Sequence, residues 1–134
     1  MLVLDTTAVS DIMHRKPEAL DRLRDLKPRD VILSAPVLAE IRFGLERLDP
    51  RSRRRQLLEV ELQRLHDVIG WADWDQESAG LFGSIKSDLQ ARGKPIDDMD
   101  LVIASIALSL GAAVATSNVR HFERIPGLSI EVWS

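Results

Sequence analysis

Residues 98–118 read DMDLVIASIALSLGAAVATSN, and this stretch decides the fold class. The segment from Asp98 to Leu110 is apolar almost all round from Leu101 to Leu108, the mark of a helix buried on every side. Gly111 ends it, and Ala112 to Thr116 follows as a short apolar strand that closes on the polar Thr116-Ser117-Asn118. An acid-headed buried helix followed by a buried strand belongs to a sheet with helices on both faces.

Outward from there the alternation repeats. Leu2-Val3-Leu4-Asp5 predicts a strand ending on an acid, and Thr6 or Thr7 can cap a helix to about His14. Pro17 opens a short helix through Leu26, with Leu20, Leu23 and Leu26 spaced at three. Val31-Ile32-Leu33 predicts a second buried strand. Ser34 follows as an N-cap and Pro36 as an early position of a helix to about Leu48, whose Val37, Ile41, Leu45 and Leu48 share one face. Asp49-Pro50 opens another helix with Leu57, Leu58, Val60, Leu62, Leu65 and Ile69 as its stripe. Residues 70–74, GWADW, read as a short strand or turn. Asp75 caps a helix to Arg92, ended by Gly93-Lys94-Pro95, and Ile130-Glu131-Val132 predicts a last strand. Short strands alternating with helices indicate an α/β fold with a mostly parallel central sheet.

The chain has 134 residues, 45% of them hydrophobic and 29% charged, which suits one globular domain over residues 1–134. It has no cysteine, which excludes a disulfide framework, a thiolate metal site and a thiol nucleophile. The longest apolar run is too short to span a bilayer, and no basic leader precedes LVLD, so a cytoplasmic location is expected. With 18 basic and 21 acidic residues the net charge is −3. That disfavours a plain electrostatic binder of nucleic acid but not a nuclease that meets phosphate through a bound cation.

The acids are informative by placement. Asp5 ends the first strand, and Thr116-Ser117-Asn118 end the fourth, at the edge where open α/β sheets bind ligands. Asp5 is equally suited to capping the next helix. Asp97, Asp98 and Asp100 put three like charges in one turn, more than a helix dipole requires unless a cation or basic partner is near. Glu40 lies at the rim of an apolar helix face, with Gly44 one turn on, where a glycine would let another segment approach. Taken singly, it reads equally as a solvated glutamate. A carboxylate-only cluster suits Mg²⁺ or Mn²⁺, which can lower the pKa of a bound water and hold a phosphodiester. The histidines (His14, His66, His121) lack metal-binding spacing, and no GxSxG or Walker A sequence is present.

LDTTAVSDIM at residues 4–13, Ser34-Ala35-Pro36 through Glu40-Ile41-Arg42-Phe43-Gly44, GKPIDDMDLVIASIAL, and AVATSNVRHFERIPGLSIEVW together resemble PIN-domain proteins, in particular the VapC-type toxins of bacterial toxin–antitoxin pairs. The likeness runs nearly end to end, with the four blocks in the family's order. It implies a three-layer α/β/α sandwich with a mostly parallel central sheet and a ribonuclease dependent on Mg²⁺ or Mn²⁺. Asp5, Glu40 and Asp100 match the family's catalytic acids, with Asp5 and Asp100 as the metal-binding pair and Glu40 orienting water. Thr6, Asp98, Asn118 and His121 take supporting places. His121 stands where many relatives carry a further acid before Phe. The resemblance also implies an RNA substrate, a homodimer and a cognate VapB-like antitoxin whose tail lays a basic group among the acids. Apolar grooves around residues 36–69 are candidate antitoxin sites. The basic cluster of Arg51, Arg53, Arg54 and Arg55 suits either RNA contact or a solvated helix start paired with Asp49, Glu59 and Glu61.

Two other functions fit parts of the sequence. An aspartyl-phosphate hydrolase also opens on a strand ending in Asp, but it wants a second aspartate where this chain has Thr7. A PIN-like module that binds RNA or protein without cleaving it would retain the fold, and His121 is the departure that favours it.

Overall fold

The computed structural model describes residues 1–133. Five strands form one sheet: β1 (Leu2–Leu4), β2 (Val31–Ser34), β3 (Gly70–Ala72), β4 (Ala113–Thr116) and β5 (Ile130–Val132). Their order is β3-β2-β1-β4-β5, and every pairing is parallel. The helices are α1 (Thr6–Met13), α2 (Pro17–Arg24), α3 (Ala35–Glu46), α4 (Arg53–Val68), α5 (Gln76–Ala91) and α6 (Asp98–Leu110). The sheet grows outward from β1 to β3 and then returns to the other side of β1 with β4. Right-handed crossovers on the two sides therefore place helices on opposite faces, which gives the three layers. The return also makes the β1–β4 boundary a topological switch point, where a crevice opens beyond the carboxyl ends of the strands.

Burial explains why the strands read as continuous apolar runs. Val3, Leu4, Val31, Leu33, Val114 and Ala115 are completely covered because helices shield both faces. Seven consecutive residues of α6, Leu101 to Ala107, are buried. Gly111 ends this helix at φ 63°, a left-handed conformation that costs glycine little. The GWADW segment resolves to a strand. At Gly70 an added Cβ would lie 2.8 Å from Ile32 Cδ1, so glycine lets β3 close on β2.

Several sequence expectations shift. α2 ends at Arg24, two residues short of the expected Leu26, and α3 ends at Glu46 instead of Leu48. α4 begins at Arg53, not at Asp49-Pro50, because the Asp49 carboxylate accepts from Arg51 N–H and holds a turn, while Ser52 caps the helix through Arg55 N–H. In α4, Leu58, Leu62 and Leu65 are buried, whereas Leu57 and Val60 lie off that stripe and are exposed. Ser34 belongs to β2 and occupies the N-cap position of α3 without a side-chain cap bond. An added Cβ at Gly44 would meet nothing within 4 Å, so no segment approaches there. Arg55 donates to Leu48 O and Glu46 and neighbours Glu59, while Glu61 pairs with Arg15 and Arg64.

Asp75 caps α5 as expected, through a reciprocal box in which its carboxylate accepts from Ser78 N–H and its own N–H donates to Ser78 Oγ. The Ser78 backbone N–H and then its hydroxyl hold the Asp75 carboxyl below the ordinary carboxylate value. A depressed folded pKa contributes stability above the unfolded value of about 3.9, and that contribution is lost as pH falls through the lower folded value. Asp75→Ala is expected to lower the melting temperature by a few degrees at about pH 7, with the difference shrinking near about pH 3. Identical thermal melts of the two proteins at neutral pH would contradict this.

Candidate active site

β1 and β4 align with Leu4 opposite Ala115, so the next residues, Asp5 and Thr116, meet at the carboxyl edge of the sheet. Asp5 is buried, and both uses that its position suggests coincide in one carboxylate. It caps α1 by accepting from Ala8 N–H at 2.8 Å, and it accepts from the Thr7 hydroxyl at 2.8 Å. Burial pushes its carboxyl above the ordinary value, opposed by hydrogen bonds from Thr116, Ala8 and Thr7 and by His121. The Thr7 hydroxyl in turn accepts from Ser117 N–H at 3.2 Å, which ties the loop after β4 to α1.

Glu40 comes from α3, which starts directly after β2 at the same edge of the sheet. Its Oε1 accepts a hydrogen bond from the Thr6 hydroxyl. Thr6 therefore braces Glu40, while the hydroxyls that reach Asp5 belong to Thr7 and Thr116. Asp100 comes from the first turn of α6, whose buried body holds that turn rigidly against the sheet. Glu40, Asp97, Asp100 and His121 line one cleft of about 380 Å³.

The electrostatics of the cleft are strained by design of the sequence. Burial first, then repulsion from Asp97, Glu40 and Asp5, raises the Asp100 carboxyl to about 6, against an opposing pull from His121. His121 Nδ1 lies 3.1 Å from Asp100 Oδ2, and its Nε2 lies 2.8 Å from Asn118 Nδ2. Asn118 thus orients His121, and His121 orients Asp100.

Asp98 does not join this group. It is exposed and ion-paired with Lys86 of α5 at 3.0 Å, because the helix turn that aims Asp100 into the cleft aims Asp98 away from it. The acid that does join is Asp97, the N-cap of α6, whose carboxylate accepts from Met99 N–H. Sequence reading missed Asp97, Thr7 and Thr116. The surplus of charge in DDMD was the available signal for the first, the place of Thr116 at the carboxyl end of a buried strand was the signal for the last, and Thr7 offered only a helix cap.

The donor set is suited to a hard cation, since the cleft gathers the carboxylates of Glu40, Asp97 and Asp100 and holds no sulfur ligand. Among the described residues no three His, Asp or Glu side chains are gathered closely enough to hold a metal ion. Mg²⁺ does not require such a cage, because it retains several waters and binds through one or two carboxylates. The gathering of Glu40, Asp97 and Asp100 in one cleft is the observation that favours a cation there, which would relieve their mutual repulsion.

A PIN domain model matches residues 2–128. The tRNA(fMet)-specific endonuclease VapC of Salmonella typhimurium is 34% identical over 131 residues, covering 98% of this chain and 96% of that protein. Ribonuclease VapC2 of Rickettsia felis is 28% identical over 133 residues, covering 98% and 96%. Among solved structures, VapBC2 from Rickettsia felis bound to a promoter DNA fragment superposes with a TM-score of 0.87 at 26% identity, covering 99% of this chain and 98% of that one. DNA-bound VapBC from Salmonella typhimurium gives 0.85 at 29% identity, also covering 99% and 98%.

Proposed function

The chain belongs to the PIN domain family, and from that premise we propose that it is a toxin ribonuclease whose Asp5, Glu40 and Asp100 act on RNA with a divalent cation, silenced by a cognate antitoxin. The observation that carries this reading is the convergence of acids from β1, α3 and α6 at the switch point, with their repulsion concentrated on Asp100. Asp5 and Asp100 are the residues that would hold Mg²⁺ or Mn²⁺. When bound, the cation supplies Lewis acidity and neutralises charge on the phosphodiester.

The chain's own groups supply the rest. Asp5 is immobilised by three donors, so it enters the reaction pre-oriented. Thr6 occupies Glu40 Oε1, and Oε2 has no partner among the described residues. Oε2 is the acceptor for the proton lost by an attacking water as the new phosphorus–oxygen bond forms and the RNA strand breaks. His121 and Asn118 keep Asp100 aimed at the cleft. An aspartyl-phosphate route has no comparable support, since the residue two places after Asp5 is Thr7, whose hydroxyl is bonded to the would-be nucleophile.

The partner has a place as well. A groove of about 290 Å³ between α1, α3 and α4 is lined by Met13, Ile41, Leu45, Leu48 and Leu58 and runs up to Thr6 and Glu40. An antitoxin helix laid there would bring its basic tail to the acids. The exposed Phe43, Trp71 and Trp74 are available for the homodimer that the family likeness implies. No described helix is long and apolar enough to cross a membrane, and the working location proposed is the cytoplasm.

The test is cleavage of structured RNAs, initiator tRNA among them because one relative is named for it, by antitoxin-free protein. Cutting is expected with Mg²⁺ or Mn²⁺ and is expected to stop with EDTA. Cutting that persists in EDTA would remove the cation from the mechanism. Failure of folded, cation-binding protein to cut any of the RNAs would remove the ribonuclease.

A further inference from the structure

The cleft that holds Glu40, Asp97 and Asp100 is also lined by Pro95, Arg120 and Arg124. Arg124 is engaged, since its Nη1 donates to Pro95 O at 3.2 Å and pins the turn that leads into α6. Arg120 is different. It sits in the short 3₁₀ turn Val119–His121, is exposed, and has no hydrogen bond or ion pair among the described residues. Its neighbour His121 meets Asp100 instead. Elsewhere Arg15, Arg24, Arg42, Arg64 and Arg92 each pair with a carboxylate. Arg120 shares the cleft with Glu40, Asp97 and Asp100 and pairs with none of them.

The electrostatics say what should fill that vacancy in its pairing. An RNA phosphodiester brought to a cleft with three carboxylates, on a chain of net charge −3, meets repulsion that a single divalent cation offsets only in part. A guanidinium on the same wall presents a planar fork of donors that matches two phosphate oxygens. Arg53 and Arg54, which also lack a carboxylate partner among the described residues, line a different cavity beside Leu57, Leu58 and Glu61. They do not line the cleft with Asp97 and Asp100.

Resting on the ribonuclease reading, we propose that Arg120 is a substrate-binding residue that grips an RNA backbone phosphate at the mouth of the acidic cleft. It does so through charge and shape, so it strengthens binding without selecting a base. Because Arg120 is exposed and makes no hydrogen bond or ion pair among the described residues, its replacement should leave the fold intact.

The test uses the full chain in an Asp100→Asn background, which permits binding to be measured without cleavage. A fluorescent initiator tRNA transcript and an unrelated structured RNA are titrated across a series of KCl concentrations. Adding Arg120→Gln is expected to weaken binding of both RNAs by about tenfold and to lower the slope of log affinity against log salt by about 1. Arg120→Lys should keep the slope while recovering only part of the affinity. Arg22→Gln, an exposed arginine of α2 that lines no cleft, should change neither quantity. Unchanged affinity and slope in Arg120→Gln, with the parent still binding RNA, would overturn the proposal and leave the ribonuclease standing. Absence of RNA binding by the parent would instead overturn the ribonuclease reading and this proposal with it.

Discussion

Replacing Asp100 by asparagine is expected to lower RNA cleavage on the order of 10³-fold while making the cation-free protein more stable at neutral pH. The two effects have one cause. In the folded chain the Asp100 carboxyl is raised to about 6, first by burial and then by Asp97, Glu40 and Asp5. Charging it therefore costs the native state more than the unfolded one. Its folded pKa lies above the unfolded value, so wild-type stability falls as pH rises from about 4 through about 6 and then levels. A shift of this size would correspond to at most about 3 kcal/mol, and solvent reaching the open cleft reduces it to about 1 kcal/mol. Asparagine carries no such charge. In EDTA the variant should melt a few degrees above wild type at about pH 7.5 and level with it near about pH 4. Saturating Mg²⁺ should reverse the order, because binding to the native state alone stabilises wild type and the variant lacks the ligand. Paired melts with and without Mg²⁺, beside a cleavage assay, decide the matter. A variant that still cuts RNA, or a wild type indifferent to Mg²⁺ in both assays, would take Asp100 out of the centre.

Phe122→Ala should have the largest effect on the fold itself. Phe122 is completely buried, and it directly follows His121 at the end of the short turn after β4. Deleting a buried phenyl ring leaves a cavity that the surrounding helices and strands only partly close, a loss of about 3–5 kcal/mol. Against a typical stability of about 5–15 kcal/mol this is a large share, and the melting temperature should fall on the order of 10 °C. Cleavage should suffer too, since the ring anchors the turn that presents His121 to Asp100. Phe122→Leu keeps most of the volume and should restore most of both. Loss of stability without loss of cleavage at a temperature where the variant remains folded would separate the anchor from the site.

The legibility of this protein divides along physical lines. Strand burial and helix identity were readable because they depend on local composition. A parallel sheet covered on both faces needs uninterrupted apolar runs such as Leu2-Val3-Leu4 and Ala112 to Thr116, and a helix buried all round needs the apolar band of Leu101 to Leu108. Helix starts were readable where a side chain supplies the cap, as at Asp75, and misplaced where a turn intervenes, as at Asp49 to Ser52. The fold class, the candidate acids Asp5, Glu40 and Asp100 and their shared edge are legible in the residues alone, because acids that end strands or head buried helices stand out against apolar neighbours. The folded arrangement alone shows that Asp97 and not Asp98 faces the cleft, that Thr6 serves Glu40 while Thr7 and Thr116 serve Asp5, and that Arg120 lines the cleft with no ion pair among the described residues. Those outcomes turn on the direction of single side chains across contacts distant in sequence, and hydrogen-bond geometry of that kind leaves no pattern along a chain.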